Sequence, residues 1–126
     1  MTLIWIIHTG FGGNICDKVI LKTKHKSKVG KYIRENLADV FFMFIKLCVC
    51  NNYGSIREDL DFLYGNDPEL DIYNEDDREA IIEKISEVLD SYTNEEIVDE
   101  LYGSSSDSEK DYAAITKFSV NEIITL

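Results

Sequence analysis

The sequence predicts a single α+β domain over residues 1–126: an N-terminal β-hairpin, a helical middle with one long buried helix, and one or two C-terminal strands. Three observations lead to this prediction. Two segments near the N-terminus have the character of strands, the middle of the chain repeats apolar residues at helical spacing, and residues 114–126 are again β-branched. A chain of 126 residues is long enough for one domain with its own core.

The first two elements are predicted to pair as a hairpin. Residues 3–8 (LIWIIH) are apolar on both alternating faces, which is typical of a central strand. Residues 18–24 (KVILKTK) alternate between apolar residues and lysines, as a half-exposed strand does. The Gly-rich residues 9–14 (TGFGGN) fit the connection between them. They do not form a phosphate-binding loop, because Ile15 stands where a third glycine is required and no helix pattern follows.

A long helix is predicted to begin at Ser27, as its cap, and to run to about Cys48. Residues 40–50 (VFFMFIKLCVC) are apolar on nearly every side, which predicts that this part is the buried centre of the domain. Their aromatic content also permits a separate strand, and spacing alone does not decide between the two. The apolar positions at helical spacing are Val29, Ile33, Leu37, Val40, Phe41, Phe44, Ile45 and Cys48.

Two further helices are predicted in the acidic part of the chain. Ser55 begins a short helix that Gly65 ends. Asn74 has the character of an N-cap, and Asp77 lies in the first turn of the helix that follows. That helix is predicted to bury one apolar stripe, formed by Ile81, Ile82, Ile85, Val88 and Leu89.

A last helix and the C-terminal strands complete the predicted fold. Thr93 and Glu96 have the spacing of a capping box, and Gly103 ends the helix. Its predicted buried residues are Ile97, Val98 and Leu101. The serine-rich residues 103–111 read as a loop, and the β-branched residues after it predict a strand or two.

Charge is distributed very unevenly along the chain. The net charge is −11, yet residues 1–50 hold eight Lys/Arg and three Asp/Glu, whereas residues 51–126 hold five and twenty-one. The segment Lys18–Arg34 contains seven basic residues and no acidic one. Such asymmetry predicts either two oppositely charged surfaces or halves that partly neutralise each other.

The acidic residues recur at spacings of three and four on the helices predicted to start at Asn74 and Thr93. This spacing aligns like charges, which costs a few tenths of a kcal/mol per pair. Only Arg78 and Lys84 interrupt the first of these helices, so the face either keeps the protein soluble or binds a positive partner. The predicted partner-binding residues are Tyr73, Glu75, Asp76, Glu79, Glu83, Glu87, Asp90, Tyr92, Glu95, Glu96, Asp99, Glu100 and Tyr102.

No catalytic, metal or cofactor signature is present in the sequence. The three cysteines and two histidines lack the paired spacing of a structural zinc site, and neither histidine has a nucleophile motif around it. We therefore expect no enzyme activity, no cofactor and no metal. Direct nucleic-acid binding is not expected from so acidic a chain. Residues 40–50 are too short to span a membrane, and an odd cysteine count fits the cytoplasm.

Three functions remain open for a small acidic protein of this kind. The first is an immunity or antitoxin protein that neutralises a basic partner, such as a toxin nuclease, with Tyr64 and the tyrosines above as anchors. The second is a phage-type DNA mimic that blocks a restriction or CRISPR effector. The third is a structural or interaction subunit, a possible homodimer, in which residues 40–50 form the seam.

Two fragments resemble segments of the nuclease-colicin immunity proteins. Residues 91–101 (SYTNEEIVDEL) are similar to the opening helix of that family, and residues 74–85 (NEDDREAIIEKI) to a later segment. The two fragments stand in the reverse order here, and the N-terminal hairpin has no counterpart in the family. The resemblance therefore assigns no role to any residue of this chain.

Overall fold

The computed structural model describes residues 2–11, 14–50, 54–61, 70–102 and 111–120, and it confirms the α+β fold class. An N-terminal hairpin is followed by helices and then by a returning strand. The elements are β1 (Thr2–Phe11), β2 (Asn14–Lys22), α1 (Lys26–Glu35), α2 (Phe41–Cys50), α3 (Ser55–Asp59), α4 (Glu75–Leu89), α5 (Asn94–Leu101) and β3 (Asp111–Val120).

The three strands form one antiparallel sheet in the order β2-β1-β3. The prediction that residues 3–8 form a central strand is therefore confirmed. Trp5, Ile7 and Thr9 are buried on the face that the helices cover, whereas Ile4, Ile6 and His8, which alternate with them, are only partly buried. Ile20 and Phe118 lie on that second face with 55% and 49% of their surface exposed. The outer face of the sheet thus carries exposed apolar side chains beside Lys18 and Lys22, which stand opposite His8 and Ile4.

The hairpin pairs as the sequence predicts, with Ile7 opposite Val19 and a bulge between Thr9 and Gly10. Its Gly-rich connection at residues 12–13 lies outside the described residues. Lys18 and Lys22 are exposed on β2, which is an edge strand. Lysines on an edge strand discourage pairing with other chains, so these side chains help to keep the sheet soluble.

The prediction of one helix from Ser27 to Cys48 is wrong, because two helices occupy this segment. Asn36 ends α1: its backbone N–H and its side-chain amide both donate to the Tyr32 carbonyl, at 3.0 and 2.9 Å. A turn follows, with the backbone N–H of Val40 donating to the Asn36 carbonyl at 3.1 Å. Asparagine competes for backbone groups in this way and disfavours helix interiors. The cap of α1 is His25 rather than Ser27.

The break at residues 36–40 lets the two helices serve different parts of the core. Helix α1 packs on α5, whereas α2 packs on β1 and β3. Helix α2 is the buried centre that the sequence predicts, and the strand alternative for these residues is wrong. Its buried side chains are Phe41, Met43, Phe44, Ile45, Leu47 and Cys48. These side chains are therefore not available as a seam between two copies of the chain.

The caps predicted in the acidic half are present. The Asn74 side chain accepts from the Asp76 backbone N–H at 3.0 Å, and Thr93 and Glu96 form the reciprocal capping box. All apolar positions predicted for α5 are buried, as are Ile81, Ile85 and Leu89 of α4. Helix α3 begins at Ser55 as predicted, but it ends at Asp59, so the prediction that Gly65 ends it is wrong. Helix α5 ends at Leu101, and Gly103, its predicted stop, lies outside the described residues.

Helices α1 and α5 approach each other closely at Gly30. A Cβ atom built on Gly30 would lie 2.6 Å from the carbonyl carbon of Asn94 and closer still to its oxygen. Real Cβ atoms do not come this near to backbone. The glycine therefore sets the distance between the two helices.

Arg34 fastens the C-terminal end of α4 to α1. Its guanidinium donates to the carbonyls of Leu89 and Tyr92 at 2.9 and 2.6 Å, and to the Asn94 side-chain oxygen at 3.0 Å. It also lies 3.6 Å from the Asp90 carboxylate. One cation thus binds two carbonyls and a side-chain amide in the connection from α4 to α5, where the Leu89 carbonyl also accepts from the Tyr92 backbone N–H at 3.0 Å.

We expect Arg34→Ala to lower the free energy of unfolding by about 2–3 kcal/mol, because hydrogen bonds to a charged donor are worth about 1.5–3 kcal/mol and are not additive. Arg34→Lys should recover only part of this loss, since an ammonium group cannot donate to three acceptors in the directions set by the planar guanidinium. Chemical denaturation of the two variants measures their free energies of unfolding. Lys31→Ala is the matched control, because Lys31 is exposed on the same helix. An Arg34→Ala variant as stable as the control would show that these Arg34 contacts do not stabilise the fold.

Candidate protein-binding surface

Helix α4 presents a row of carboxylates to solvent. We call the exposed residues Glu75, Asp76, Glu79, Glu83, Glu87 and Asp90 the α4 acidic face. The helix takes this orientation because its apolar stripe is buried against the core. Four of these residues stand four positions apart, so their carboxylates follow one another at about 6 Å along the axis. All six residues are exposed, which confirms the sequence prediction that they lie outside the apolar stripe of the helix.

The α4 acidic face is not neutralised from within the described part of the chain. The structure gives Glu75, Glu79, Glu83 and Glu87 no ion pair among the residues that it describes. Asp90 is the exception, because Arg34 lies 3.6 Å from it. The mutual repulsion of these carboxylates therefore stays largely uncompensated, and it would be relieved by a cation from outside.

Three of the four acidic residues predicted on α5 have internal roles. Glu96 belongs to the capping box. Asp99 accepts a hydrogen bond from the Lys26 ammonium, and this bond raises the pKa of Lys26. Glu100 accepts from the backbone N–H of Ile56 in the first turn of α3. Glu95 is exposed. The structure thus brings the α4 residues together as a surface and ties much of α5 into the fold.

The three predicted tyrosines lie in different surroundings. Tyr73 precedes α4 with 78% of its surface exposed. Tyr92 is half-buried, and its hydroxyl donates to the Asp59 carboxylate at 2.7 Å. Burial and this bond raise the pKa of Tyr92. Tyr102 and Trp5 form a T-shaped pair, with 5.9 Å between the ring centroids and 70° between their planes. Tyr73 is therefore the most exposed of these three tyrosines. The fourth predicted anchor, Tyr64, lies outside the described residues.

An aromatic cluster beside the α4 acidic face was not predicted. Phe42 of α2 is 44% exposed and stacks on Tyr73, with 6.2 Å between the ring centroids and 23° between their planes. The Arg78 guanidinium lies 4.7 Å above the Phe42 ring and 4.5 Å above the Phe41 ring. No local signal distinguishes Phe42 from its buried neighbours in α2, because the surrounding apolar residues of the sequence continue on both sides of it.

Two ion pairs join the basic run to the acidic half among the residues that the structure describes. Lys26 pairs with Asp99 on α5, and Arg34 reaches Asp90 at the end of α4. These contacts agree with the prediction that the two halves partly neutralise each other. They also place positive side chains at the α5 side of the acidic region, which limits its extent.

The remaining reactive groups do not form a catalytic arrangement within the described ranges. The Cys48 thiol is buried, and burial raises its pKa, which opposes formation of a thiolate. His8 is partly buried in β1, which lowers its pKa, and its Nε2 lies 3.4 Å from the Thr116 hydroxyl. No group of three or more metal-ligating side chains lies together among the residues that the structure describes.

Comparison with known protein families, with curated proteins and with solved structures found no match to this chain. No helix in the described part of the chain has the length and apolar character needed to cross a bilayer.

Proposed function

We propose that the protein is a non-enzymatic inhibitor of the immunity or antitoxin type, which neutralises a basic partner, such as a toxin nuclease, by charge-complementary binding. The α4 acidic face carries this proposal: five exposed carboxylates on α4 and that of Asp90 just after it, with Asp90 alone in an ion pair among the described residues. A nuclease presents a cationic cleft to its substrate, and an acidic surface is attracted to such a cleft from a distance.

The extent of the acidic surface favours an inhibitor over a DNA mimic. Helix α4 has 15 residues and is therefore about 22 Å long. Duplex DNA of that length carries about thirteen phosphate charges, roughly twice the number of carboxylates on the α4 acidic face. Lys26 and Arg34 also interrupt the acidic surface toward α5. A compact patch of this kind suits one cleft better than a long nucleic-acid channel.

The aromatic cluster supports the same proposal. Electrostatic steering accelerates association, but affinity depends on a few well-packed anchors, often Tyr, Trp or Arg. Tyr73 and Phe42 lie exposed beside the α4 acidic face and can serve as such anchors. We place this inhibitor in the cytoplasm, where the buried free thiol of Cys48 would stay reduced.

Affinity capture from the native host tests the proposal. The wild-type protein and a variant with Glu79, Glu83 and Glu87 replaced by lysine are immobilised in parallel, loaded at low salt and eluted with rising salt. We expect the wild type alone to retain a basic nuclease, identified by mass spectrometry. Its nuclease activity, assayed after purification, should fall to zero at one equivalent of the wild-type protein.

Two other outcomes would contradict the proposal. If the wild type retains nothing at low salt, the acidic surface serves solubility alone. If both proteins retain the same set, the α4 acidic face is not the interface. A retained restriction or CRISPR effector would instead establish the mimic.

A further inference from the structure

We propose that Tyr73, stacked on Phe42, is the anchor that receives an arginine side chain of the partner. This inference rests on the proposed function and names the chemistry of the contact within it. The outward face of the Tyr73 ring is available, since 78% of the residue is exposed while Phe42 supports the ring from within.

Tyr73 is held in place before any partner arrives. Its backbone N–H donates to the Asp71 side chain at 2.9 Å, and the Asp71 backbone N–H donates in turn to Asp77 at 3.0 Å. Phe42 is itself held edge-on against Phe41, with 5.2 Å between the centroids. An exposed aromatic ring that is already fixed loses little conformational entropy when it binds, which is a property of effective anchors.

The chain already contains the contact that we propose for the partner. Arg78 lies over Phe42 at 4.7 Å, and its Nε has no hydrogen-bond partner within the described residues. Its contacts to the rings of Phe41 and Phe42 therefore hold this guanidinium. Phe42 thus contacts both the Arg78 guanidinium and the Tyr73 ring, and a guanidinium on the exposed face of Tyr73 would repeat the contact that Arg78 makes with Phe42.

The charges around Tyr73 favour a cation as the occupant. Asp71, Glu75, Asp76 and Asp77 contribute four negative charges within the adjacent residues. The start of α4 contributes only about half a positive charge, and Arg78 one. The balance is negative, so an acidic or a purely apolar partner residue is disfavoured. Arginine is favoured over lysine because its planar group both stacks on a ring and binds carboxylates through two parallel hydrogen bonds.

Binding of nona-arginine and nona-lysine peptides tests the inference. Each labelled peptide is titrated with wild type, Tyr73→Phe and Tyr73→Leu at low salt, and anisotropy gives the ratio of the two affinities. Leucine keeps an apolar side chain of similar bulk without the ring, whereas phenylalanine keeps the ring. We expect Tyr73→Phe to preserve the arginine preference of the wild type and Tyr73→Leu to reduce it by about three-fold.

The controls separate this inference from the proposed function. The Glu79→Lys, Glu83→Lys, Glu87→Lys variant should weaken both peptides alike and leave their ratio unchanged. If it does so while Tyr73→Leu keeps the wild-type ratio, the acidic interface stands and the arginine anchor is overturned. If the charge reversal leaves both affinities unchanged, the proposed interface itself is overturned. Denaturation curves confirm that each variant is folded.

Discussion

Replacing Glu79, Glu83 and Glu87 together by lysine is expected to slow association with the basic partner by about ten- to a hundred-fold at low salt. The three side chains are exposed on one helix, and glutamate and lysine have similar helix propensities, so the fold should be unaffected. The variant turns the attractive potential of the α4 acidic face into a repulsive one. Stopped-flow association rates across a salt series measure the effect, which should shrink as screening increases.

A second variant distinguishes the effect of the α4 acidic face on the association rate from the effect of the net charge. Asp17, Glu35 and Asp39 are exposed acidic residues of the N-terminal half, and replacing them by lysine changes the net charge by the same amount. We expect this control to slow association far less at moderate salt, because its charges lie outside the α4 acidic face. Equal slowing by the two variants would mean that only total charge matters and would contradict a localised interface.

Gly30→Ala is expected to lower the free energy of unfolding by about 2 kcal/mol, which is the upper end of the overpacking cost less the gain in helix propensity. In an ordinary helix the same change is stabilising by about 1 kcal/mol, because alanine has the higher propensity. Here the new methyl group would lie 2.6 Å from the Asn94 carbonyl carbon, and backbone cannot move aside as a flexible side chain does. Overpacking of this kind costs about 1–3 kcal/mol or more, so the steric term should outweigh propensity.

Urea denaturation of Gly30→Ala and of Lys28→Ala checks this expectation. Lys28 is exposed on the same helix, so its replacement reports propensity without a clash. If Gly30→Ala is too unstable to purify while Lys28→Ala purifies as a folded protein, the clash is at least as costly as expected. A Gly30→Ala protein more stable than wild type would mean that α1 and α5 do not approach as closely as described.

Features encoded by a few neighbouring residues could be predicted from the sequence, and those that depend on distant residues could not. The capping box of Thr93 and Glu96 needs only local contacts, and it is present. The end of α1 at Asn36 was missed, although asparagine is a weak local signal, because the apolar spacing continues through the break. Periodicity locates a buried face but does not show whether one helix or two carry it.

The candidate surface likewise combines features that the sequence predicts with features that depend on distant residues. Exposure of the α4 acidic face follows from the apolar stripe on the opposite side of the helix, so the sequence predicts it. The internal roles of Asp99 and Glu100 depend on Lys26 and on the start of α3, which lie far away in the chain. The stacking of Phe42 on Tyr73 likewise joins α2 to the turn before α4, and no spacing rule anticipates it.

The position of β1 in the sheet has a consequence for synthesis on the ribosome. This strand is central, yet it lies at the N-terminal end of the described chain, and one of its two neighbours is β3 at the other end. His8 and Thr116 face each other although 108 positions separate them. A nascent chain can form the hairpin early, but one edge of β1 must wait until β3 has been translated. Long-range pairing of this kind folds slowly and leaves an unpaired edge open to aggregation in the meantime.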